Sequence, residues 1–362
     1  MDRRSPGHLR LAAFTLPLIA LLAAACFPEH PQSTFDAQGP VAQKQLDLFM
    51  IIFWAAVFVF VVVQGALLYT VLRFRRRQQQ DSLPPQWHGN PRLEVAWTIA
   101  PAIVLAVIAV PTITTIWDTA TVPPGESLEV NVTAHQWWWE FQYPGLGVVT
   151  ANELHVPVGR TVKVSLESRD VIHSFWVPKL TGKTDLIPRN TNVIWFRADQ
   201  AGTYYGQCAE FCGIAHAQMR FRVIADAPEA FDAWVALQGE RPPAPAGPAA
   251  QGFRVFVQKG CTVCHTFGGS EGEGVQQGRM DGFLKGQAQY PAPNLSHFAS
   301  RETFAAGLLT RTDENLRRWL LDPRAVKPGN RMAQLAEAYT NAEKALSEDD
   351  ISALVTYLQS LK

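Results

Sequence analysis

The sequence predicts a multidomain membrane protein: a two-helix transmembrane hairpin, then a β-sandwich, then a small all-α domain. Three observations predict it. The runs Leu48 to Leu72 and Val95 to Trp117 carry few polar residues and are long enough to cross a bilayer. From Thr121 to Ile224, short segments rich in β-branched and aromatic residues alternate with Gly, Pro, Asn and Asp, the pattern of several short strands. Beyond a Pro/Ala/Gly-rich stretch starting at Glu240, the apolar residues recur at helical spacing.

The N-terminus opens with the basic "MDRRSPGHLR", followed by apolar Leu11 to Ala25 and the small residues of "LLAAAC". That is the layout of a secretory signal over residues 1–25. Cys26 directly after the Ala run resembles a lipoprotein cleavage site, where the cysteine is acylated. Ala23 stands where such signals favour Leu, so lipidation of Cys26 stays open. Residues 26–46 then form an extracytoplasmic segment and 47–117 the hairpin. Its connecting loop holds Arg73, Arg75, Arg76, Arg77 and Arg92, which places the loop in the cytoplasm and everything after Trp117 outside. Lys plus Arg (32) equals Asp plus Glu (32), so no charge excess points to a nucleic-acid partner.

Residues 118–225 form the β domain, and 226–250 a short helix and linker. In "APEAFDAWVALQG" Pro228 falls in the first turn of that helix. "ERPPAPAGPAAQG" is too poor in bulky apolar residues to pack and reads as a flexible tether. The last domain, 251–362, contains the helical stretches "FRVFVQKG", "DENLRRWLLDP" and "SEDDISALVTYLQSL". Ser347 and Asp350 make a near capping box for the last of these, with Ile351, Leu354, Val355 and Leu358 on one face.

Apart from Cys26, the cysteines form two pairs, each with a histidine close by, which favours metal or haem chemistry over disulfides. "CAEFCGIAHAQM" gathers Cys208, Cys212, His216 and Met219 in one loop. Thiolate, imidazole and thioether together suit copper. A single electron-transfer copper takes one Cys, two His and a weak Met, so this loop has one thiol too many and one His too few. His173, in "DVIHSFWVP", supplies the missing imidazole. With both thiolates bridging, the set fits two coppers sharing one unpaired electron.

"DVIHSFWVP" followed by "YYGQCAEFCGIAHAQM" resembles subunit II of haem–copper cytochrome c oxidases with its binuclear CuA centre. The resemblance covers residues 40 to 225 and implies a cupredoxin-like sandwich. It implies that the Glu210 carbonyl is a further copper ligand and that the Glu210 carboxylate reaches a magnesium ion shared with subunit I. "HQWWWEFQYP" resembles the family's "HQWYW", whose first Trp is an exposed inlet for electrons from a cytochrome c; Trp137 holds that place. The three tryptophans 137–139 are otherwise expected to alternate faces along a strand, packing the core and anchoring at the membrane interface. "RLEVAWTIAP" resembles the "LExxWT" that marks the mouth of a proton path into subunit I, which implies that role for Glu94. Two departures are visible. The family has Pro after the ligand Met, where this chain has Arg220, and "KTDLIPRNT" lacks the Gly that follows Pro188 in the family.

"KGCTVCHTF" carries Cys261, Cys264 and His265, the C-x-x-C-H signal of covalently attached haem c with His265 as proximal ligand. "VKPGNRMAQ" resembles the loop of class I cytochromes c that ends in the axial Met, here Met332. Met280, in a Gly-rich insert, is expected to pack or lie exposed. "YPAPNLS" resembles the family's "GPNL", which implies that the Pro293 carbonyl accepts a bond from the proximal imidazole. His297 is expected at the surface or behind the ligands, His30, His88 and His155 in solvent, and His135 beside Trp137. His8 lies in the signal.

A CuA subunit fused to a cytochrome c domain resembles the caa-type oxidases of bacteria. The resemblance implies a multi-pass protein of the cell (inner) membrane with both soluble domains on the periplasmic face. It implies electrons passing from a donor, such as a cytochrome c or a quinol–cytochrome c reductase, through haem c and CuA to the haems of subunit I. There oxygen is reduced to water with proton pumping, and a subunit III is a further expected partner. A nitric oxide reductase with a CuA subunit and a stand-alone membrane-bound carrier are the alternatives. Glu94 and the fused cytochrome favour the oxidase over the first, and Gln64 within the apolar span and Glu210 favour a partner over the second. A quinol oxidase is disfavoured because its subunit lacks the copper ligands.

Overall fold

The computed structural model describes residues 30–75, 89–240, 244–266 and 292–362. The signal segment with His8, Cys26, loop residues Arg76, Arg77 and His88, and the Gly-rich insert with Met280 lie outside the described residues.

Helices α1 (Pro40–Phe74) and α2 (Pro91–Ala120) contain the two apolar runs. Their most apolar windows reach mean hydropathies of 2.8 and 2.3, and none of either window is buried in protein. Side chains such as Phe58, Leu68, Leu105 and Trp117 stand bare, a surface that lipid covers. At about 1.5 Å per residue, α1 is longer than a hydrocarbon core of about 30 Å. Its N-terminal end reaches the β domain, where Val41 and Ala42 are buried. Asn90 caps α2 by accepting the N–H groups of Arg92 and Leu93.

Ten strands follow: β1 (Ser127–His135), β2 (Trp138–Tyr143), β3 (Val148–Ala151), β4 (Glu153–Pro157), β5 (Thr161–Ser168), β6 (His173–Trp176), β7 (Thr184–Leu186), β8 (Asn192–Phe196), β9 (Gly202–Cys208) and β10 (Arg220–Asp226). They form two five-stranded sheets, in the orders β3-β2-β1-β5-β8 and β4-β10-β9-β6-β7. The pairs β1–β5 and β4–β10 run parallel and the rest antiparallel. In β5, Val162, Val164 and Leu166 are buried while Thr161, Lys163 and Ser165 are only half-buried, the alternation of a strand with one face on a core. Between the sheets Phe221 stacks on Phe175 at 4.7 Å and tilts against Trp139 at 5.0 Å.

Two local expectations change. The three tryptophans do not share a strand: β1 ends at His135, Gln136 and Trp137 make the turn, and β2 begins at Trp138. Leaving the sheet at Trp137 frees its ring from strict alternation, and all three rings are buried. Arg189, where the family has Gly, adopts φ 65°, the left-handed conformation that Gly reaches without steric cost.

Helix α3 (Pro228–Gly239) packs on the sandwich, with Trp234 stacked on His155 at 4.4 Å. His155 is therefore not a solvated residue; its Nδ1 also pairs with Asp226 at 2.8 Å. The C-terminal domain contains α4 (Pro248–Gln258), α5 (Asp313–Leu321), the short α6 (Pro323–Val326), α7 (Arg331–Leu335) and α8 (Glu337–Thr340), and α9 (Glu348–Gln359). Helix α4 crosses α9 so closely that a Cβ on Gly252 would fall 2.0 Å from the carbonyl oxygen of Ala353. Ser347 and Asp350 close a full capping box on α9, and Ile351, Leu354, Val355 and Leu358 enter the core. Among the described residues of this domain the strands form one small hairpin, Thr303–Phe304 with Leu309–Thr310.

That hairpin carries the contact between domains. Its turn holds Ala305, Ala306 and Gly307 at φ 53°, 64° and 68°, so two non-glycine residues sit in the left-handed region. Ala306 is buried with Trp138 and Ala151, and its carbonyl accepts the N–H of Arg220 at 3.2 Å. The Pro that the family carries at this place has no N–H to give. Arg222 donates to the Gly307 carbonyl at 3.0 Å. The buried carboxylate of Glu153 takes the Thr303 N–H and hydroxyl, both at 2.6 Å, and the Glu302 N–H at 3.2 Å. The expectation of a loosely tethered domain is corrected by these bonds: buried groups on both sides depend on the contact, and leaving them unpaired is costly.

Candidate copper loop and haem chamber

The copper-loop residues come from three places. Cys208 ends β9, with its N–H held by the Met219 carbonyl at 2.9 Å. His173 begins β6, the neighbour of β9. Cys212, His216 and Met219 lie on the loop from β9 to β10. The two Sγ atoms are 3.7 Å apart, too far for a disulfide. His173 Nδ1 is 3.8 Å from Cys208 Sγ, and His216 Nδ1 is 3.6 Å from Cys212 Sγ. Met219 Sδ is 3.8 Å from Cys212 Sγ, and the Glu210 carbonyl is 3.2 Å from Cys208 Sγ. Metal–sulfur and metal–nitrogen bonds of about 2.3 and 2.0 Å place two ligands of one ion roughly 3.5–4 Å apart. All six expected donors thus converge at ligand spacing, and the donor set fits copper.

The two buried thiols are electrostatically coupled: a bond from Cys212 holds the Cys208 thiol well below its ordinary range, and the same bond pushes the Cys212 thiol upward. Sequence reasoning missed Asp170, whose Oδ1 lies 2.7 Å from His173 Nε2 and leaves Nδ1 facing the sulfur. Burial pushes the Asp170 carboxyl up, but bonds from His173 and from the N–H groups of Val171 and Gln136 outweigh it and hold it low. Burial likewise pushes His173 down, and the Asp170 bond with Cys208 brings it above its usual value. Its position three residues before His173 was the only sequence signal.

Trp137 is not an exposed inlet. It is 7 % exposed, covered by the C-terminal domain of its own chain. Its indole N–H donates to the Cys212 carbonyl at 2.9 Å, and Gln136 Nε2 donates to the same oxygen at 2.8 Å. From the other domain, Arg331 lies 5.7 Å over the Trp137 ring and donates to Gln136 Oε1 at 2.7 Å. His135 stacks on Trp138 at 4.3 Å, buried beside this turn.

A chamber of about 510 Å³ lies between the domains, lined by Cys261, Cys264, His265, Pro293 and Met332 on one side and by Trp137 and Trp138 on the other. His265 Nδ1 is 2.9 Å from the Pro293 carbonyl, which leaves Nε2 for an iron. Burial pushes the Cys261 thiol up to about 11. Among the described residues, the buried Arg301 guanidinium donates to the carbonyls of Asn294 and Ser296. These residues fit a haem c. His297 is corrected: it is buried, with Nε2 3.0 Å from the Glu240 carbonyl, and it ties the domain to the end of α3. Glu94 stands exposed in the first turn of α2.

Fold and sites together define a membrane-anchored electron-transfer subunit with one soft-metal loop and one haem chamber. The chain matches the family models described as cytochrome C oxidase subunit II, transmembrane domain, over residues 29–115 and periplasmic domain over residues 147–226. It matches that of cytochrome c over residues 249–362. It is 37% identical over 361 residues to cytochrome c oxidase subunit 2 of Alkalihalophilus pseudofirmus, covering 98% of each chain. It is 38% identical over 360 residues to cytochrome c oxidase subunit 2 of Bacillus sp. strain PS3, covering 95% of each. The crystal structure of the periplasmic domain of subunit II of cytochrome oxidase from Bradyrhizobium japonicum is 33% identical, covers 32% of this chain and 95% of its own, and superposes with a TM-score of 0.31. The chain belongs to the cytochrome c oxidase subunit II family, in the form that carries a C-terminal cytochrome c domain. It is a subunit of a haem–copper oxidase, with an electron-input role, a membrane anchor, a periplasmic domain and subunit I as partner. The family implies CuA copper and haem c.

Proposed function

We propose that this subunit passes electrons from a donor through haem c to CuA and on to the haems of subunit I, for proton-pumping reduction of oxygen. Both soluble domains face the periplasm of a bacterial cell membrane. His173, Cys208, Cys212, His216, Met219 and the Glu210 carbonyl hold the coppers, and Cys261, Cys264, His265 and Met332 hold the haem. A copper pair held there would supply one-electron transfer.

The chain's own residues prepare that transfer. Asp170 fixes the His173 ring, and the Pro293 carbonyl fixes that of His265. The observation that carries the reading is Trp137, which lines the haem chamber and bonds the Cys212 carbonyl at once. Electrons therefore reach Trp137 from the chain's own haem, and an external donor, a cytochrome c or a quinol–cytochrome c reductase, delivers to the C-terminal domain. Phe211, 75 % exposed beside the ligand Cys212, supports a subunit I contact at the copper loop, where the Glu210 carboxylate shares a magnesium ion with that subunit. Glu94 serves the mouth of a proton path, subunit III completes the assembly, and residues 1–25 are a signal. The test is to purify the complex, count copper, haem and magnesium, and assay oxygen consumption. An isolated subunit without a haem–copper partner would refute the reading.

A further inference from the structure

Lys327 is 3 % exposed, and its Nζ donates to the Trp137 carbonyl at 2.6 Å. It also lines the haem chamber. Among the described residues no carboxylate lies within ion-pair distance of it, and the same holds for Arg301. Two buried cations thus border one chamber, each bonded only to carbonyl oxygens. The anionic groups that act on them, Cys212 on Lys327 and Glu153 on Arg301, lie beyond ion-pair distance, and a buried charge without a directly paired counter-charge is disfavoured.

The carboxylates that line the chamber are engaged, and Glu153, which acts on Arg301 from a distance, is bonded to Thr303. Asp170 accepts from Gln136, Val171 and His173, and Glu337 pairs with Lys344. Of the other cations around the chamber, Lys259 pairs with Asp350, and Arg331 is bonded to Gln136. Arg169 also lines it, from the sandwich side. What the chamber would take brings two carboxylates of its own, the haem propionates.

We infer that Lys327 pairs with one haem c propionate and, through its bond to the Trp137 carbonyl, positions the haem against the tryptophan that touches the copper loop. The inference rests on the C-terminal domain holding haem c. Burial outweighs the raising pull of Cys212 and pushes the Lys327 amine down to about 7, an unfavourable state for a cation that a propionate would relieve. Lys327 is a positioning residue: it acts through the haem carboxylate and Trp137, not on the iron.

The test uses the assembled oxidase with K327M, K327Q and K327R, and reads the haem c midpoint potential across pH. K327Q keeps a donor for the Trp137 carbonyl but no charge, so it separates a domain latch from a counter-charge. The expected result is a lowered potential in both K327M and K327Q. That potential also becomes pH-dependent between about pH 5 and 8, as the unpaired buried propionate titrates. K327R is expected to follow the wild type. A K327Q potential that matches the wild type in value and pH dependence overturns the inference. Should neither neutral variant assemble, infrared redox difference spectra of the wild type with carboxyl-labelled haem decide. Two ionised carboxylates at pH 6 support the pairing, and a labelled protonated carboxyl band overturns it. Absence of covalent haem from the wild-type complex would instead refute the haem reading beneath it.

Discussion

Trp137 donates its indole N–H to the carbonyl of Cys212 at 2.9 Å and is also one of the residues that line the haem chamber. One side chain thereby touches both redox sites of the chain. The surface that the family resemblance offers to an external cytochrome is occupied by the chain's own C-terminal domain.

Removing one of the two thiols tests the two-copper reading of the loop. C212S leaves His173, Cys208, His216 and Met219 in place but only one sulfur to share. The expected outcome is loss of the electron paramagnetic resonance pattern of an electron shared by two copper nuclei, with at most one copper retained.

Asp170 is predicted to act on the metal through His173. D170N removes the charged acceptor at Nε2, and outer-sphere losses of this kind typically cost about 10–100-fold in metal affinity. Competitive copper titration of the purified complex measures it.

Docking is predicted to depend on Glu153. E153A leaves the buried Thr303 N–H and hydroxyl without their acceptor, a penalty of about 1–3 kcal/mol. The expected result is faster protease cleavage near residues 240–247, together with a larger radius in solution scattering.

The capping box of α9 gives a prediction with a sign. Burial pushes the Asp350 carboxyl up, but bonds from Ser347 and Lys259 outweigh it and hold it below its usual value. A carboxyl lowered in the folded state stabilises above its unfolded value, about 3.9, and that contribution is lost as pH falls through the folded value. D350N is expected to lower stability by about 0.3–1 kcal/mol at neutral pH, the worth of a negative charge in the first turn of a helix. The gap from wild type should close in acid, as read by thermal unfolding of the C-terminal domain within the full chain.

Much of this was legible in the sequence because it depends on local spacing. The surplus thiol between Cys208 and Cys212, the C-x-x-C-H at Cys261 and the apolar periodicity of α9 are all short-range patterns. His173 was reachable only because a sandwich brings distant strand ends together. The docking was not legible. Glu153, Arg222 and Lys327 look like ordinary surface charges until the opposing domain buries them, and the same burial turns Trp137 from a surface residue into a wall. Arg220 was noted as a missing proline, but only the fold gives its N–H an acceptor in Ala306.

The central claim is that electrons cross from haem c to CuA through the Trp137 contact, and time-resolved absorption tests it most directly. Haem c is reduced by a photochemical donor in the assembled oxidase, and its reoxidation is followed alongside reduction of copper. For the wild type the account predicts a transfer rate independent of protein concentration. W137F should retain copper and haem but transfer more slowly, since it loses the bond to the Cys212 carbonyl and the indole contact. An unchanged rate in W137F with both cofactors in place would contradict the account.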